Sequence, residues 1–144
     1  MTDSSFDYPF QIRLQDVDAA GVLFFAQLFP YAHSAYEQWM AELGFPLHRM
    51  IRERTLGLPL VHAEADYRRP LRHGDAVTAR LTIAELAERR FAVAYRFETG
   101  DGALAAEART LHVALDPQTG KSCPLPADLA AALRPYVQAP APAE

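Results

Sequence analysis

The chain is poor in several residue types that would otherwise define a class of function. It has one cysteine, Cys123, which excludes a disulfide scaffold and a zinc site built from cysteines. Of its 14 basic residues only Lys121 is a lysine, and 18 acidic residues give the chain a formal net charge of −4. We therefore do not expect a nucleic-acid-binding protein.

The chain also lacks a long, continuous apolar run. Residues 19–36 are uncharged, but small and polar residues interrupt their hydrophobicity: Gly21, Gln27, Pro30, His33 and Ser34. The first residues show neither a basic segment nor an apolar segment after it, so no secretory leader is recognised. We expect a cytoplasmic protein with no membrane partner.

The length of 144 residues corresponds to one domain. Half of the residues are hydrophobic and 22% are charged, which is typical of a folded globular protein. We predict a single domain over residues 1–138 and a flexible tail over residues 139–144, where alanine and proline alternate.

The hydrophobic pattern predicts one strand, a long helix and then four strands. Phe10, Ile12 and Leu14 alternate with polar residues, which predicts a strand over residues 8–16. Helical spacing follows up to Leu43, and Pro30 places the start of the regular helix near residue 29 or 30. The remaining patterns predict a short helix over 46–53, strands near 61–68, 77–83, 91–98 and 103–115, and a terminal helix over 126–136.

This order of elements is typical of an α+β domain. One long helix covers one face of an antiparallel sheet, and the other face stays bare unless a second subunit covers it. We therefore expect a homodimer or a larger homo-oligomer.

Two aspartates after the first strand are the first catalytic candidates. Asp16 and Asp18 precede three small residues and then the long helix. A carboxylate here lies near free backbone N–H groups at the positive end of a helix, and these groups can polarise a carbonyl oxygen. An aspartate is ionised at neutral pH and can act as a base or a nucleophile. Capping the helix is the alternative role of the same residue.

Histidine and glutamate share one face of the long helix. His33 and Glu37 are four residues apart, which fits a substrate contact, an acid/base pair or a structural hydrogen bond. Two ligands without a third are too few for zinc. The remaining candidates, His62, His73 and His112, are scattered, and the pattern favours structural roles for them.

Two adjacent arginines, Arg89 and Arg90, fall in a predicted turn between strands. Guanidinium groups in an exposed turn can hold a phosphate. The alternative is a solvated turn in which they pair with Glu85 or Glu88.

The segment from Asp16 to Phe25, DVDAAGVLFF, resembles the signature of hotdog-fold acyl-CoA thioesterases of the 4-hydroxybenzoyl-CoA thioesterase type. The segments HSAYEQW, from His33, and LPLVHA, from Leu58, are similar to the subgroup that hydrolyses 1,4-dihydroxy-2-naphthoyl-CoA. The resemblance covers residues 8–115.

The resemblance implies a curved antiparallel sheet of about five strands wrapped around one long helix, in dimers that usually pair into tetramers. It implies that Asp18 is the catalytic carboxylate, as nucleophile or as general base, and that the backbone N–H of Phe25 polarises the thioester carbonyl. Arg89 and Arg90 fall in the turn that contacts the nucleotide end of CoA. No metal and no redox cofactor are implied.

The predicted activity is hydrolysis of an aromatic acyl-CoA. His33 stands where hydroxybenzoyl-specific relatives carry an aspartate, which favours a naphthoyl substrate. The predicted substrate-binding residues are Gly21, Phe24, His33, Tyr36, Glu37 and His62. The alternatives are a short-chain aliphatic acyl-CoA thioesterase, a hydratase or dehydratase with His33 and Glu37 as acid/base pair, and a non-catalytic acyl-CoA-binding module.

Overall fold

The computed structural model describes residues 4–138. It contains five strands, β1 (Phe6–Gln11), β2 (Leu60–Tyr67), β3 (Ala76–Leu86), β4 (Arg90–Thr99) and β5 (Leu104–Val113). The three α-helices are α1 (Leu28–Glu42), α2 (Leu47–Glu53) and α3 (Ala127–Leu133). Short 3-10 helices occupy Leu14–Asp16, Phe25–Gln27 and Arg134–Tyr136. The tail predicted over residues 139–144 lies outside the described residues.

The five strands form one antiparallel sheet in the order β1-β3-β4-β5-β2, so β1 and β2 are its edges. One face of the sheet packs on α1 because large apolar residues of β4 alternate with small or polar ones. Those that are buried are Phe91, Val93, Tyr95 and Phe97. The predicted α+β fold, a curved sheet around one long helix, is confirmed.

Helix α1 begins at Leu28, and Pro30 lies in its first turn, where a proline is tolerated. The irregular turn predicted before it is the 3-10 helix Phe25–Gln27. Gly44, with φ of +94°, follows the end of the helix. Among the described residues, none of the helices has the length and apolar character needed to cross a bilayer.

The first strand differs from its prediction. It ends at Gln11, and Leu14 is 69% exposed in a 3-10 helix instead of pointing into the core. The reason is the pairing of Ile12 with the turn before β3: its N–H donates to Asp75 O (3.0 Å), and its carbonyl accepts from Gly74 N–H (2.9 Å). Beyond these contacts the chain leaves the sheet. Pro9 is tolerated within β1 because β1 is an edge strand.

The outer face of the sheet carries ion pairs. Arg80 contacts Asp7 and Glu98, each at 2.8 Å, and Arg96 lies 3.4 Å from Glu107. These charges are compatible with water. The sequence predicted that a second subunit covers this face of the sheet. The charged residues on this face do not support that prediction.

Candidate active site

The carboxylate of Asp18 is held by the turn that follows it. Its Oδ1 accepts hydrogen bonds from the N–H groups of Ala20 (2.8 Å) and Val22 (3.2 Å). Within residues 4–138, no donor contacts its other oxygen, Oδ2. Asp18 is exposed and caps its own turn, not α1, whose N-cap is Gln27. The structure therefore does not support the helix-capping alternative.

Asp16 has a different role. Tyr31 of α1 donates a hydrogen bond to its Oδ2 (2.5 Å), and the Asp16 carbonyl accepts from Phe24 N–H (3.0 Å). Burial and this hydrogen bond raise the pKa of Tyr31, so its hydroxyl keeps its proton and donates. Through these two hydrogen bonds, Asp16 connects the Asp18 turn to the start of the helical segment.

Gly21 closes the Asp18 turn with φ of +78°, where a Cβ would contact no atom within 4 Å. Gly21→Ala is therefore expected to cost about 1 kcal/mol through the backbone conformation alone. Because the turn's N–H groups hold Asp18, we expect kcat to fall about 10- to 100-fold. Denaturant titration and steady-state kinetics measure the two effects.

Gly120 offers a matched control, since its φ is +73° and a Cβ there would also meet nothing. Gly120→Ala should lose similar stability and keep full activity. Equal activities of the two variants would refute the role given to the Asp18 turn.

The Phe25 amide lies at the exposed start of the helical segment. In the described part of the chain its N–H donates to no acceptor. The bridge between Val17 and Leu23 pairs Asp18 with Val22 and Asp16 with Phe24, so Asp18 and Phe24 lie diagonally across a tight hairpin, about 7–8 Å apart. Asp18, Gly21 and Phe24 thus lie in one hairpin, and Phe25 directly follows it.

A groove opens beside this amide. It has a volume of about 360 Å³. The hydroxyl of Tyr67, the last residue of β2, donates to the Phe25 carbonyl and joins the sheet edge to the 3-10 helix. The residues that line the groove are Val22, Leu23, Phe25, Tyr67, Arg68, Arg69, Pro70, Leu71 and Ala106. Tyr67 carries no signal in the sequence pattern, because its contact joins residues 42 positions apart.

A second cavity, of about 270 Å³, lies between α1, α2 and the segment that leads into β2. His33 and Tyr36 line it, together with His112 of β5 and Leu60 at the start of β2. The other lining residues are apolar or glycine: Leu47, Met50, Ile51, Leu56, Gly57, Leu58 and Pro59. The ring centroids of Tyr36 and His112 are 4.5 Å apart, at an interplanar angle of 19°. The cavity is therefore mainly apolar, and the stacked rings of Tyr36 and His112 lie on one side of it.

His112 is buried, and both of its ring nitrogens are bonded. Nδ1 lies 3.3 Å from Leu58 O and Nε2 lies 3.0 Å from Thr110 Oγ1. Burial lowers the pKa of His112 to about 4, so the ring is neutral at physiological pH. The structural role predicted for this histidine agrees with these contacts.

The low pKa of His112 predicts acid sensitivity. Between about pH 6.5 and pH 4 the unfolded chain binds a proton that the folded chain does not, so stability falls as the pH is lowered through this window. Urea titrations at several pH values should show this slope, reduced in His112→Asn. An unchanged slope in the variant would assign the acid sensitivity to other groups.

The remaining predicted residues lie apart from both cavities. Glu37 is exposed on α1, and no hydrogen bond joins it to His33 among residues 4–138. His62 lies on the outer side of β2, where Nε2 is 3.0 Å from Glu64 Oε1.

At the turn between β3 and β4, Arg90 pairs with Glu85 at 3.1 Å and Arg89 donates to the Ser122 carbonyl at 3.1 Å. Neither arginine lines the groove or the cavity.

The fold and the site together define a class: hotdog proteins with a carboxylate turn in front of the central helix. The chain belongs to the Thioesterase-like superfamily, whose family model matches residues 12–133. The family, the hotdog fold and the enzyme class of thioester hydrolase predicted from the sequence are confirmed.

Several relatives are similar over most of their length. The 1,4-dihydroxy-2-naphthoyl-CoA hydrolase of Rippkaea orientalis is 40% identical over 121 residues, covering 83% of this chain and 88% of the relative. That of Synechococcus elongatus is 44% identical over 123 residues, covering 83% and 90%. The crystal structure of a 1,4-dihydroxy-2-naphthoyl-CoA thioesterase from Synechocystis has a TM-score of 0.85 at 34% identity, covering 91% of this chain and 96% of that one. A gentisyl-coenzyme A thioesterase structure has a TM-score of 0.79 at 28% identity, covering 88% and 98%.

Proposed function

We propose that this protein hydrolyses an aromatic acyl-CoA, with 1,4-dihydroxy-2-naphthoyl-CoA as the preferred substrate. The observation that carries the proposal is the Asp18 carboxylate, which is held through one oxygen in the hairpin that directly precedes the free amide of Phe25. The relatives named above act on aromatic acyl-CoA thioesters, which supports the choice of acyl group.

The proposed reaction uses this chain's own groups. The Phe25 N–H donates to the carbonyl oxygen of the thioester as negative charge develops there. Asp18 either attacks the carbonyl carbon, forming an anhydride that water then opens, or removes a proton from a water that attacks directly. In both cases the C–S bond breaks, the CoA sulfur takes a proton, and the products are a carboxylic acid and CoA.

The acyl group is proposed to bind in the cavity beside Tyr36 and His112. Its volume of about 270 Å³ is just below the range for small-molecule pockets, about 300–1,000 Å³. The stacked rings of Tyr36 and His112 give one side of the cavity an aromatic surface, and we propose that a planar acyl group packs against it. His33, at the same cavity, is proposed to contact a ring hydroxyl.

The cavity and the Asp18 turn do not meet within one chain. Tyr67, beside the Phe25 groove, and Leu60, at the cavity, are the two ends of β2. Eight residues at about 3.3 Å each separate these ends by about 20–25 Å. Along the helical segment, Phe25 at the groove and His33 at the cavity are eight residues apart, about 12 Å. In an aromatic acyl-CoA the ring is bonded directly to the thioester carbon, so we propose that one molecule does not span both places in one protomer.

We propose that a homodimer completes the site. β2 is an edge strand, and it leaves Val61 56% exposed and Tyr67 46% exposed, which is unusual for an edge that faces water. Antiparallel pairing of β2 with the same strand of a second copy would bring the cavity of one protomer to the Asp18 turn of the other. By symmetry, each dimer would then contain two such sites. Pairing of two dimers into a tetramer is a further part of the proposal.

A panel of acyl-CoA thioesters tests the substrate assignment, with thiol release as the readout. The proposal expects the highest kcat/KM with 1,4-dihydroxy-2-naphthoyl-CoA, then hydroxybenzoyl-CoA, and the lowest with short-chain aliphatic thioesters. Faster turnover of the aliphatic thioesters would favour the short-chain alternative. Saturable binding without thiol release would identify a binding module, and hydration of an enoyl-CoA with CoA still attached would identify a hydratase.

Arg89 and Arg90 are proposed to bind the phosphates of CoA. The Arg89→Glu/Arg90→Glu variant should raise the KM for an acyl-CoA about tenfold or more, since a hydrogen bond to a charged group contributes about 1.5–3 kcal/mol, and should leave kcat nearly unchanged. The matching acyl-pantetheine thioester, which lacks the nucleotide, should show no difference between the two enzymes. An equal rise in KM for both thioesters would exclude a phosphate contact.

The proposal includes a cytoplasmic location, because CoA thioesters carry phosphate charges and do not cross membranes unaided.

A further inference from the structure

A chain of buried hydrogen bonds connects the centre of the sheet to the wall of the cavity. Tyr95 Oη lies 3.0 Å from Thr110 Oγ1, which lies 3.0 Å from His112 Nε2, and His112 Nδ1 lies 3.3 Å from the Leu58 carbonyl oxygen. A carbonyl only accepts, so Nδ1 carries the ring proton and Nε2 accepts from the Thr110 hydroxyl. Every hydrogen bond in the series then donates in the same direction, from Tyr95 through Thr110 and His112 to the Leu58 carbonyl.

The Leu58 carbonyl differs from its two neighbours because its hydrogen bond from β5 comes from a side chain and not from the backbone. On either side of it, the Gly57 carbonyl accepts from Leu115 N–H (2.9 Å) and the Pro59 carbonyl accepts from Val113 N–H (3.2 Å). Between them the imidazole of His112 takes the place of a backbone donor. The backbone pairing thus holds Gly57 and Pro59, and within residues 4–138 the donor to the Leu58 carbonyl itself is the His112 ring.

The His112 ring is itself fixed in orientation. Tyr36 stacks on it at 4.5 Å, and Phe91 lies 5.2 Å from it at an interplanar angle of 13°. His112 is 1% exposed, and with Leu58 it lines the cavity of about 270 Å³. One side chain thus joins the sheet to the part of the cavity wall that Leu58 forms.

We propose that His112 is a positioning residue that sets the width of the acyl cavity by holding the Leu58 carbonyl, and so determines which ring size the enzyme accepts. The inference rests on the function proposed above. It predicts that loss of the Nδ1 donor changes the discrimination between acyl groups, while the reaction at Asp18 proceeds as before.

Two substitutions of His112 distinguish the effect of the Nδ1 donor from the effect of the aromatic ring. His112→Phe keeps the aromatic stack and removes the donor to Leu58, whereas His112→Asn removes the ring and keeps an N–H donor at nearly the position of Nδ1. The readout is the ratio of kcat/KM for 1,4-dihydroxy-2-naphthoyl-CoA to that for benzoyl-CoA. We expect this ratio to change about tenfold in His112→Phe through KM, with kcat within about twofold, and to recover at least partly in His112→Asn.

Tyr95→Phe is the matched control, because Tyr95 belongs to the same hydrogen-bonded chain but does not line the cavity. It should lower the melting temperature and leave the substrate ratio unchanged. If His112→Phe does not fold, Thr110→Val, which removes the donor to Nε2, should shift the ratio in the same direction by less.

An unchanged ratio in a folded His112→Phe or Thr110→Val variant overturns the inference, as does an equal shift in Tyr95→Phe. Failure of the proposed function is distinguishable from these results, because the wild-type enzyme would then hydrolyse neither thioester.

Discussion

Asp18→Asn is expected to lower kcat for an aromatic acyl-CoA by about 10²–10⁴-fold, the range that a positioned general base contributes. The substitution preserves shape, and the amide oxygen can still accept the N–H groups of Ala20 and Val22 that hold the turn. What is lost is the charge that attacks the carbonyl or activates water. Thiol release under saturating substrate measures the loss, and urea unfolding should give a free energy of unfolding within about 0.5 kcal/mol of wild type.

Asp16→Asn is the matched control for this prediction. It weakens the hydrogen bond from Tyr31 and should lower stability more than Asp18→Asn does, with a smaller loss of activity. Normal CoA release from a folded Asp18→Asn enzyme would rule out the proposed chemistry.

Disrupting the free edge of β2 is expected to abolish activity without unfolding the protomer. Val61→Lys/Ala63→Lys places two charges on the exposed edge strand, a device that natural proteins use to prevent edge pairing. Because each proposed site needs two protomers, we expect a monomer with kcat/KM reduced about 100-fold or more, as misplacement of reacting groups alone costs about 10²-fold. Sedimentation velocity reports the oligomeric state, and circular dichroism reports the fold.

Gln118→Lys serves as the control, since it adds the same kind of charge in the exposed turn at residues 116–120. It should remain dimeric and active. A monomeric double variant with full activity would show that one protomer holds a complete site.

Local patterns in the sequence predicted much of the fold. Alternation placed β3, β4 and β5 within a few residues of their ends, because side chains of a strand with one buried face repeat every two residues. Pro30 placed the start of α1 within two residues of its observed start at Leu28, since a proline ring is tolerated in the first turn. β1 was extended too far, because its end depends on pairing with the Gly74 turn, 62 residues away from Ile12 in the sequence.

The candidate site was only partly predictable. The Asp18 turn is a continuous segment, so spacing and resemblance identified it. Tyr67 and Leu58 were not assigned roles, because each acts through a single contact to a residue far away in the sequence, 42 positions for Tyr67 and 54 positions for Leu58. The periodicity of a sequence does not reveal such contacts. The separation of the Phe25 groove from the His33 cavity, at opposite ends of β2, likewise appears only after folding.

The central claim is that Asp18 of one protomer works with the acyl cavity of the other. Mixing two inactive enzymes tests it most directly. One is Asp18→Asn, and the other is His33→Trp, whose bulk should block the cavity. After the two are unfolded and refolded together, half of the dimers should be mixed, and each mixed dimer should hold one intact site, giving about a quarter of wild-type activity. Activity that stays at the level of the separate variants, with mixed dimers present, would contradict the account.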